Sequence, residues 1–296
     1  MERKQIDAIL SDYDGTLCPT TSVRDDYSSE TGTIPHGLEQ ILFSVSRHIP
    51  VCILSSKDFA FLHNRARFAS IMSCVLGLET INHNPHYNDT KENNNLGCVR
   101  YQHTIASSHS LMDNSKLLQD TVETLQSQNY KNIIIEAKYT SNKEILIGLT
   151  IDYRQLENWQ SFKENTEPII REMIQKSVNA DLAPNLSFKD QPFIQSYASH
   201  PFLDVYGAEC NKGLAFDNVL SQLDKKERTN VVYLGDSEND NPAFRKSDIS
   251  IGIRSDTRLN PILNCKYMLN FNQLPVFLRS LMDNDYIFSE GLLPVG

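Results

Sequence analysis

Apolar runs of four or five residues, each followed by small polar or acidic residues, recur near both ends of the chain. They cover residues 6–10, 51–54, 231–234 and 249–253. Short apolar runs bounded by polar residues are typical of strands that are buried on both faces of a parallel sheet. The pattern therefore predicts a sheet to which both ends of the sequence contribute.

Helical periodicity separates these strands. Leu38, Ile41, Leu42 and Val45 fall on one helical face, and Pro35 precedes them at a place suited to a first turn. Further helices are predicted over residues 57–68, 212–223 and 274–282. Strands that alternate with helices predict an α/β fold with a Rossmann-like parallel sheet between layers of helices.

The middle of the chain departs from this alternation. Residues 82–115 are rich in Asn, His and Ser and lack periodicity, which is typical of a loop. Beyond it the pattern predicts a helix, two strands and a second helix with a break at Pro168, over residues 115–128, 133–136, 144–151 and 155–178. We therefore predict a core domain of residues 1–81 and 206–296, interrupted by an inserted α/β domain of residues 82–205.

Composition and charge argue against several classes of function. The net charge is −9 and the pI about 5.4, and the aromatic residues are not interleaved with basic ones, so no nucleic-acid partner is expected. No stretch approaches the roughly 18–20 apolar residues that span a membrane, and the run at 6–10 is too short for a signal peptide. The six cysteines are scattered, without a C-x-x-C pair, which is typical of reduced thiols. We expect a cytoplasmic monomer with no membrane partner.

Acidic and small polar residues stand at the ends of three predicted strands. Asp12 and Asp14 follow the first strand, Ser55 ends the second, and Asp236 and Asp240 follow the run at 231–234. In open parallel sheets, ligands bind beyond the carboxyl ends of the strands. Clustered carboxylates repel one another and need a cation, and oxygen ligands favour a hard ion such as Mg²⁺. The four acids therefore predict a magnesium site.

Four motifs stand in a fixed order along the chain. They are Asp12-Tyr13-Asp14-Gly15-Thr16, Ser55, Lys212 and Gly235-Asp236-Ser237-Glu238-Asn239-Asp240. This ordered set resembles the motifs of the haloacid dehalogenase superfamily of phosphatases. The resemblance implies that superfamily's core fold with a large inserted cap domain. It also implies Mg²⁺-dependent hydrolysis of a phosphoester through a phospho-aspartate.

The resemblance implies a role for each acidic residue and for the lysine. Asp12 would attack phosphorus and form an acyl-phosphate, and Asp14 would protonate the leaving alkoxide and then activate water. Lys212 would offset charge on the transferring group. Asp236 would bind Mg²⁺ beside Asp12 and the backbone carbonyl of Asp14. Asp240 would bind the ion directly or orient its water shell.

Four further residues are candidates for binding phosphate. Thr16 follows the Asp-Gly turn, and Ser55 would donate a hydrogen bond from the end of the second strand. Ser56 competes with Ser55 for that role, and Lys57 is an alternative to Lys212. Plainer structural roles remain open, because Asp-Gly pairs are common in turns, serine often caps a helix and a lysine before a glycine usually lies on a solvated face.

The inserted segment carries a second resemblance. Glu136 and Lys138, followed by Asp152-Tyr153-Arg154, resemble the E-x-K … H-Y-R pattern of trehalose-6-phosphate phosphatases, although Asp152 stands where that pattern has His. The match implies that Glu136, Lys138 and Arg154 contact a sugar phosphate, with trehalose 6-phosphate the leading substrate; an ordinary surface hairpin is the alternative. The motif at residues 235–240 is closer to mannosyl-3-phosphoglycerate and sucrose-phosphate phosphatases. Ser55-Ser56-Lys57 is also closer to mannosyl-3-phosphoglycerate phosphatases.

Two other classes of protein remain open on the same core. A phosphomutase would return phosphate to its bound intermediate, and a non-catalytic sugar-phosphate-binding protein would bind without turnover. The presence of both Asp12 and Asp14 favours an enzyme, a phosphoric monoester hydrolase. His83 and His86 have the spacing of a metal pair but no third ligand at a clear offset, so no second metal is expected.

Overall fold

A computed structural model of the protein describes residues 3–19, 32–82, 102–105, 108–127, 132–181, 192–196, 201–223, 229–255 and 261–294. The chain divides into two compact units. The first comprises Met1–Ser56, Ala60–Thr104 and Asn211–Gly296, and the second comprises Lys57–Phe59 and Ile105–Cys210. His83 and His86, where no second metal was expected, lie outside the described residues.

The described strands and helices follow one another in this order. The strands are β1 (Lys4–Gln5), β2 (Ala8–Ser11), β3 (Val51–Leu54), β4 (Ile71–Cys74), β5 (Glu79–Asn82), β6 (Gln102–Ile105), β7 (Ile134–Tyr139), β8 (Leu146–Asp152), β9 (Phe193–Ser196), β10 (Phe202–Tyr206), β11 (Val231–Gly235), β12 (Ile249–Arg254), β13 (Tyr267–Asn270) and β14 (Ile287–Phe288). The α-helices are α1 (His36–Ser46), α2 (Phe59–Leu62), α3 (Ser108–Ser127), α4 (Trp159–Asp181), α5 (Lys212–Gln222), α6 (Asn241–Phe244) and α7 (Leu274–Asp283).

An eight-stranded sheet forms the centre of the first unit. Its strand order is β13-β12-β11-β2-β3-β4-β5-β6, and neighbours from β13 to β4 run parallel, whereas β5 is antiparallel to β4. The parallel α/β core is thus confirmed. Strand β2 lies between β11 and β3, and Ser11 pairs with Leu234 on one side and Ile53 on the other. The chain passes from β2 to β3 on one side of β2, whereas β11 lies on the other side. In open parallel sheets, this arrangement leaves a crevice at the carboxyl ends of β2 and β11, where ligands bind.

Helix α5 covers one face of this sheet. Its residues Ala215, Phe216 and Val219 share a hydrophobic cluster with Ala8 and Leu10 of β2, all almost wholly buried. Ala8 and Leu10 are two positions apart, so they point to the same face of the strand. This packing fixes the position of the first residue of α5 relative to the carboxyl end of β2.

The second unit has a four-stranded antiparallel sheet of order β7-β8-β10-β9. Helices α3 and α4 supply Leu118 and Ile170 to a cluster that also contains Leu149 and Leu203 of the sheet. Residues at alternate positions point to the opposite face. That face is polar: Thr150 pairs in register with Glu136 of β7 and with Asp204 of β10.

Several predicted boundaries differ from the structure. The helix predicted over 57–68 is wrong beyond α2, because the chain passes into turns at residues 63–65 and 67–68. Strands β4 and β5 were not predicted at all. The domain boundaries placed at 81/82 and 205/206 fall inside β5 and β10.

The break predicted at Pro168 is also wrong. Helix α4 continues through Pro168. Ile170 and Ile174 beyond it are only 3% and 2% exposed, so the apolar face of the helix continues into the core. A proline removes one helical hydrogen bond, and burial of the following turn outweighs that loss here.

Candidate active site

The two central strands bring three carboxylates together. Asp12 directly follows β2, and its backbone amide donates to the carbonyl of Leu234 at 2.9 Å, so the strand pairing extends to this residue. Asp236 directly follows β11. One carboxylate oxygen from each of Asp12, Asp236 and Asp240 lies within 4.8 Å of the others. Acids far apart in the sequence thus form one cluster at the crevice.

The turn after Asp14 depends on Gly15. Gly15 has φ of +80°, and a Cβ there would lie 2.0 Å from Oδ2 of Asp236. Only glycine adopts this backbone readily and leaves room for the carboxylate. Thr16, a predicted phosphate ligand, donates from Oγ1 to Oδ1 of Asp236 at 3.2 Å. Asp14 is half-buried and forms a backbone bridge with Cys18.

Lys212 joins the cluster from the first residue of α5. Its Nζ lies 2.8 Å from Oδ1 of Asp12 and 2.6 Å from Oδ1 of Asp240, and the residue is 1% exposed. Asn211 caps the helix, because its side-chain oxygen accepts from the amides of Gly213 and Leu214. The plainer expectation of a lysine on a solvated face is therefore wrong.

Hydrogen bonds surround the carboxylate of Asp240, which is wholly buried. Its Oδ1 accepts from Lys212 and from the hydroxyl of Tyr233, both at 2.6 Å. Its Oδ2 accepts from the amides of Asp236 and Ser237 at 3.0 Å and from the hydroxyl of Ser237 at 3.2 Å. A carboxylate offers about four lone-pair sites, so these donors fill them. Tyr233 was not predicted as a site residue; its sequence signal is a phenol within an otherwise apolar strand.

The electrostatics favour a bound cation. Burial raises the pKa of Asp12 to about 7, with Asp240 adding to the rise and Lys212 opposing it. Removal from water, and then Asp12 and Asp240, raise the pKa of Asp236 well above its usual range. Burial alone would lower the pKa of Lys212, but the two acids beside it raise it. One lysine thus faces three carboxylates, and their oxygen atoms suit a hard divalent ion such as Mg²⁺.

Ser55 and Ser56 follow β3. Ser55 is 1% exposed, its amide donates to the carbonyl of Ser73, and its carbonyl accepts from the amide of Leu76. Ser56 is half-buried. The backbone of Ser55 is therefore held on both sides at the end of a central strand.

The predicted sugar contacts lie in the second unit and are paired with charged residues there. Nζ of Lys57 lies 2.9 Å from both oxygens of Glu136. Lys138 is 2% exposed, and its Nζ lies 3.5 Å from Oδ1 of Asp204. Lys138 thus belongs to a buried ion pair. Sequence reasoning did not single out Asp204.

Arg154 also has an acidic partner. Its Nε lies 2.7 Å from Oδ2 of Asp152, and its amide donates to Oδ1 of the same residue. Asp152, which replaces the histidine of the trehalose-phosphatase pattern, therefore orients Arg154. The side chain of Arg154 keeps 27% of its surface exposed.

Comparisons with known proteins find a matching family model and several solved structures of similar fold. The model of the sucrose-6F-phosphate phosphohydrolase family matches residues 116–260. A trehalose-6-phosphate phosphatase related protein has a TM-score of 0.61 and 14% identity, over 94% of this chain and 97% of its own. The C-terminal domain of the C. albicans trehalose-6-phosphate phosphatase has a TM-score of 0.63 and 17% identity, over 94% and 92%. A haloacid dehalogenase-like hydrolase from Bacteroides thetaiotaomicron has a TM-score of 0.56 and 12% identity, over 95% and 100%. No curated protein matches the chain.

The fold is that of solved haloacid dehalogenase-like hydrolases, and residues 116–260 match the model of a phosphatase family. The solved structures that resemble the chain in fold include trehalose-6-phosphate phosphatases. None of the described helices combines the length and the apolar character that a membrane crossing requires.

Proposed function

We propose that the protein hydrolyses a sugar phosphate in an Mg²⁺-dependent reaction, with trehalose 6-phosphate as the leading substrate. The observation that carries the proposal is the cluster of Asp12 and Asp236, at the ends of adjacent strands, with Lys212 at the start of α5. A nucleophilic carboxylate beside a lysine and a second acid is the arrangement that phosphoryl transfer to an aspartate requires. The solved trehalose-6-phosphate phosphatases with the same fold support the choice of sugar.

Asp12 acts as the nucleophile in the proposed reaction. One of its carboxylate oxygens bonds to phosphorus while the bond from phosphorus to the sugar oxygen breaks, and Asp14 gives that oxygen a proton. Asp14 then takes a proton from water, which attacks phosphorus and releases phosphate from Asp12. Lys212, 2.8 Å from Asp12, offsets negative charge in both steps.

Asp12, Asp236 and the backbone carbonyl of Asp14 would hold Mg²⁺. When bound, the ion supplies positive charge that stabilises the transferring phosphoryl group. We assign Asp240 a positioning role instead of direct coordination, because five hydrogen bonds already reach its two oxygens. Its contacts hold the amides that follow β11 and the ammonium of Lys212.

Substrate binding is assigned to two groups of residues. Thr16, Ser55 and Ser56 would hold the phosphate group, with Lys57 as a further candidate. The sugar contacts proposed are Glu136, Lys138 and Arg154. Charged and polar side chains held in fixed ion pairs suit sugar hydroxyls, which need donors and acceptors at set places. The second unit carries these proposed sugar contacts.

Sucrose 6F-phosphate is the second candidate substrate. The matching family model runs from residue 116 to residue 260, so it includes Glu136, Lys212 and Asp236. Trehalose and sucrose phosphates are both phosphorylated disaccharides, so the same reaction applies to each.

Phosphate release from a panel of sugar phosphates tests the proposal. Purified protein with Mg²⁺ is assayed on trehalose, sucrose, mannosylglycerate and glucose phosphates, and we expect the highest kcat/KM on a disaccharide phosphate. Asp12→Asn should abolish release, whereas Asp217→Asn, at a carboxylate 54% exposed, should not. Absence of release from the whole panel, or full activity in Asp12→Asn, rejects the proposal. Isomerised sugar phosphate in place of free phosphate would identify a mutase.

A further inference from the structure

Tyr233 places a hydroxyl at the centre of the candidate site from within a buried strand. All five residues of β11 are buried, and Tyr233 is 0% exposed. Its hydroxyl donates to Oδ1 of Asp240, the oxygen that also accepts from Lys212. The same ammonium reaches Oδ1 of Asp12. A continuous chain of three short polar contacts therefore links Tyr233 to the nucleophile.

Two aromatic rings hold Tyr233 in place. The ring of Phe244 lies 5.3 Å from it at an angle of 82°, and that of Phe216 lies 6.2 Å away at 62°. Edge-to-face contacts of this kind favour one ring orientation. Both phenylalanines are 2% exposed, so the hydroxyl has little freedom to leave Asp240.

We propose that Tyr233 is a positioning residue for phosphoryl transfer, which sets how Asp240 and Asp12 share the ammonium of Lys212. The inference rests on the proposed function. Asp240 and Asp12 compete for one cation at 2.6 and 2.8 Å. The hydroxyl of Tyr233 donates to Oδ1 of Asp240 and stabilises part of the negative charge of that carboxylate. The ammonium of Lys212 then interacts more strongly with Asp12. Without this donor, Lys212 would move toward Asp240 and away from the nucleophile.

Tyr233→Phe tests this role, because it removes the hydroxyl and keeps the ring. Loss of a hydrogen bond to a charged group corresponds to a decrease in rate of about ten- to a hundredfold. We expect kcat to decrease by a factor in that range. KM should stay within about twofold, because Tyr233 is wholly buried and its hydroxyl donates to Asp240. Binding of Mg²⁺ alone, measured by isothermal titration calorimetry, should also stay within about twofold.

Two control variants separate positioning from loss of stability. Tyr267→Phe removes a hydroxyl that donates to Glu290 at 2.7 Å, away from the site. Val219→Ala opens a cavity in the cluster that contains Tyr233 but leaves the hydroxyl in place. Both should keep kcat within about twofold of the unmodified protein, even where Val219→Ala melts at a lower temperature.

The outcomes distinguish the inference from the proposed function. A fall in kcat for Tyr233→Phe alone, at unchanged KM, supports the positioning role. An unchanged kcat in an otherwise active protein overturns it, and so does a fall that Val219→Ala reproduces at equal thermal stability. If the unmodified protein releases no phosphate from any sugar phosphate, the proposed function fails and the inference fails with it.

Discussion

The ammonium of Lys212 lies 2.8 Å from Oδ1 of Asp12, and both residues are almost wholly buried. The pair comes from distant parts of the sequence: Asp12 directly follows β2, and Lys212 begins α5. Taking two such charges out of water is costly, and the contact with Asp240 is part of what offsets the cost. The buried lysine is therefore a structural element of the core as well as a candidate for catalysis.

Replacing this lysine should destabilise the protein. Lys212→Ala leaves the buried carboxylates of Asp12 and Asp240 without their cation, and breaking a buried ion pair costs roughly 3–5 kcal/mol. We expect a loss of free energy of unfolding of that order in urea denaturation. Lys266→Ala, at a lysine 62% exposed and 3.6 Å from Glu290, is the control and should change little. Equal denaturation midpoints for the two variants would contradict the prediction.

The turn at Gly15 should be intolerant of any side chain. In Gly15→Ala, the new Cβ would meet Asp236 at 2.0 Å on a backbone with φ of +80°. We expect phosphate release to fall at least about a hundredfold, because Asp236 must move. Gly37→Ala, in α1 with no atom near its Cβ, should instead raise stability by about 0.5–1 kcal/mol at unchanged activity. Retained activity in Gly15→Ala would show that Asp236 can be displaced without harm.

The stability of the metal-free protein should fall as pH rises. The pKa of Asp12 is raised from 3.8 to about 7, so the folded state holds a proton that the unfolded state releases. The stabilisation from this group is therefore full below pH 3.8 and is lost as pH rises through about 7. In EDTA we expect a lower melting temperature at pH 7.5 than at pH 5.5.

Magnesium should reverse this dependence. A cation favours the ionised acids, so added Mg²⁺ should raise the melting temperature more at pH 7.5 than at pH 5.5. Asp12→Asn should reduce the pH dependence in EDTA. An Mg²⁺ effect that is equal at both pH values would argue against an ion held by Asp12.

The cap of α5 should contribute measurably to stability. Asn211 accepts from the amides of Gly213 and Leu214 at 2.9 and 3.0 Å, and Asn211→Ala should cost about 1 kcal/mol. Asn218→Ala, on the exposed side of the same helix, should be neutral or slightly stabilising. Urea denaturation of both variants measures the difference, and equal midpoints would argue against the cap.

The sequence predicted the parts of the fold that depend on local pattern. The apolar runs of β2, β3, β11 and β12 were recognised because buried parallel strands are apolar throughout. Strands β4 and β5 were missed, since β4 mixes Ser73 and Cys74 with apolar residues, and β5 carries buried Glu79 and Thr80. These polar residues interrupt the apolar pattern by which the other buried strands were recognised.

The candidate site also combines residues that the sequence predicted with contacts that it did not predict. The sequence predicted Asp12, Asp236 and Lys212 because they stand at strand or helix ends, where the spacing of motif residues can be recognised. The contact of Tyr233 with Asp240 was not predictable, because a tyrosine within an apolar strand fits equally well as a core residue. The pairing of Lys138 with Asp204 depends on the register of β10, which the sequence pattern did not reveal.

The hydrogen bond between Thr16 and Asp236 joins residues 220 positions apart, which has a consequence for synthesis. During synthesis β2 leaves the ribosome early, and its edge toward β11 stays unpaired until β11 has been synthesised. The second unit, which ends at Cys210, is complete before then. Contacts so distant in sequence close slowly, and the waiting strand edge is open to pairing with other chains. Nascent chains that stop before β11 should therefore depend on chaperones more than the finished protein does.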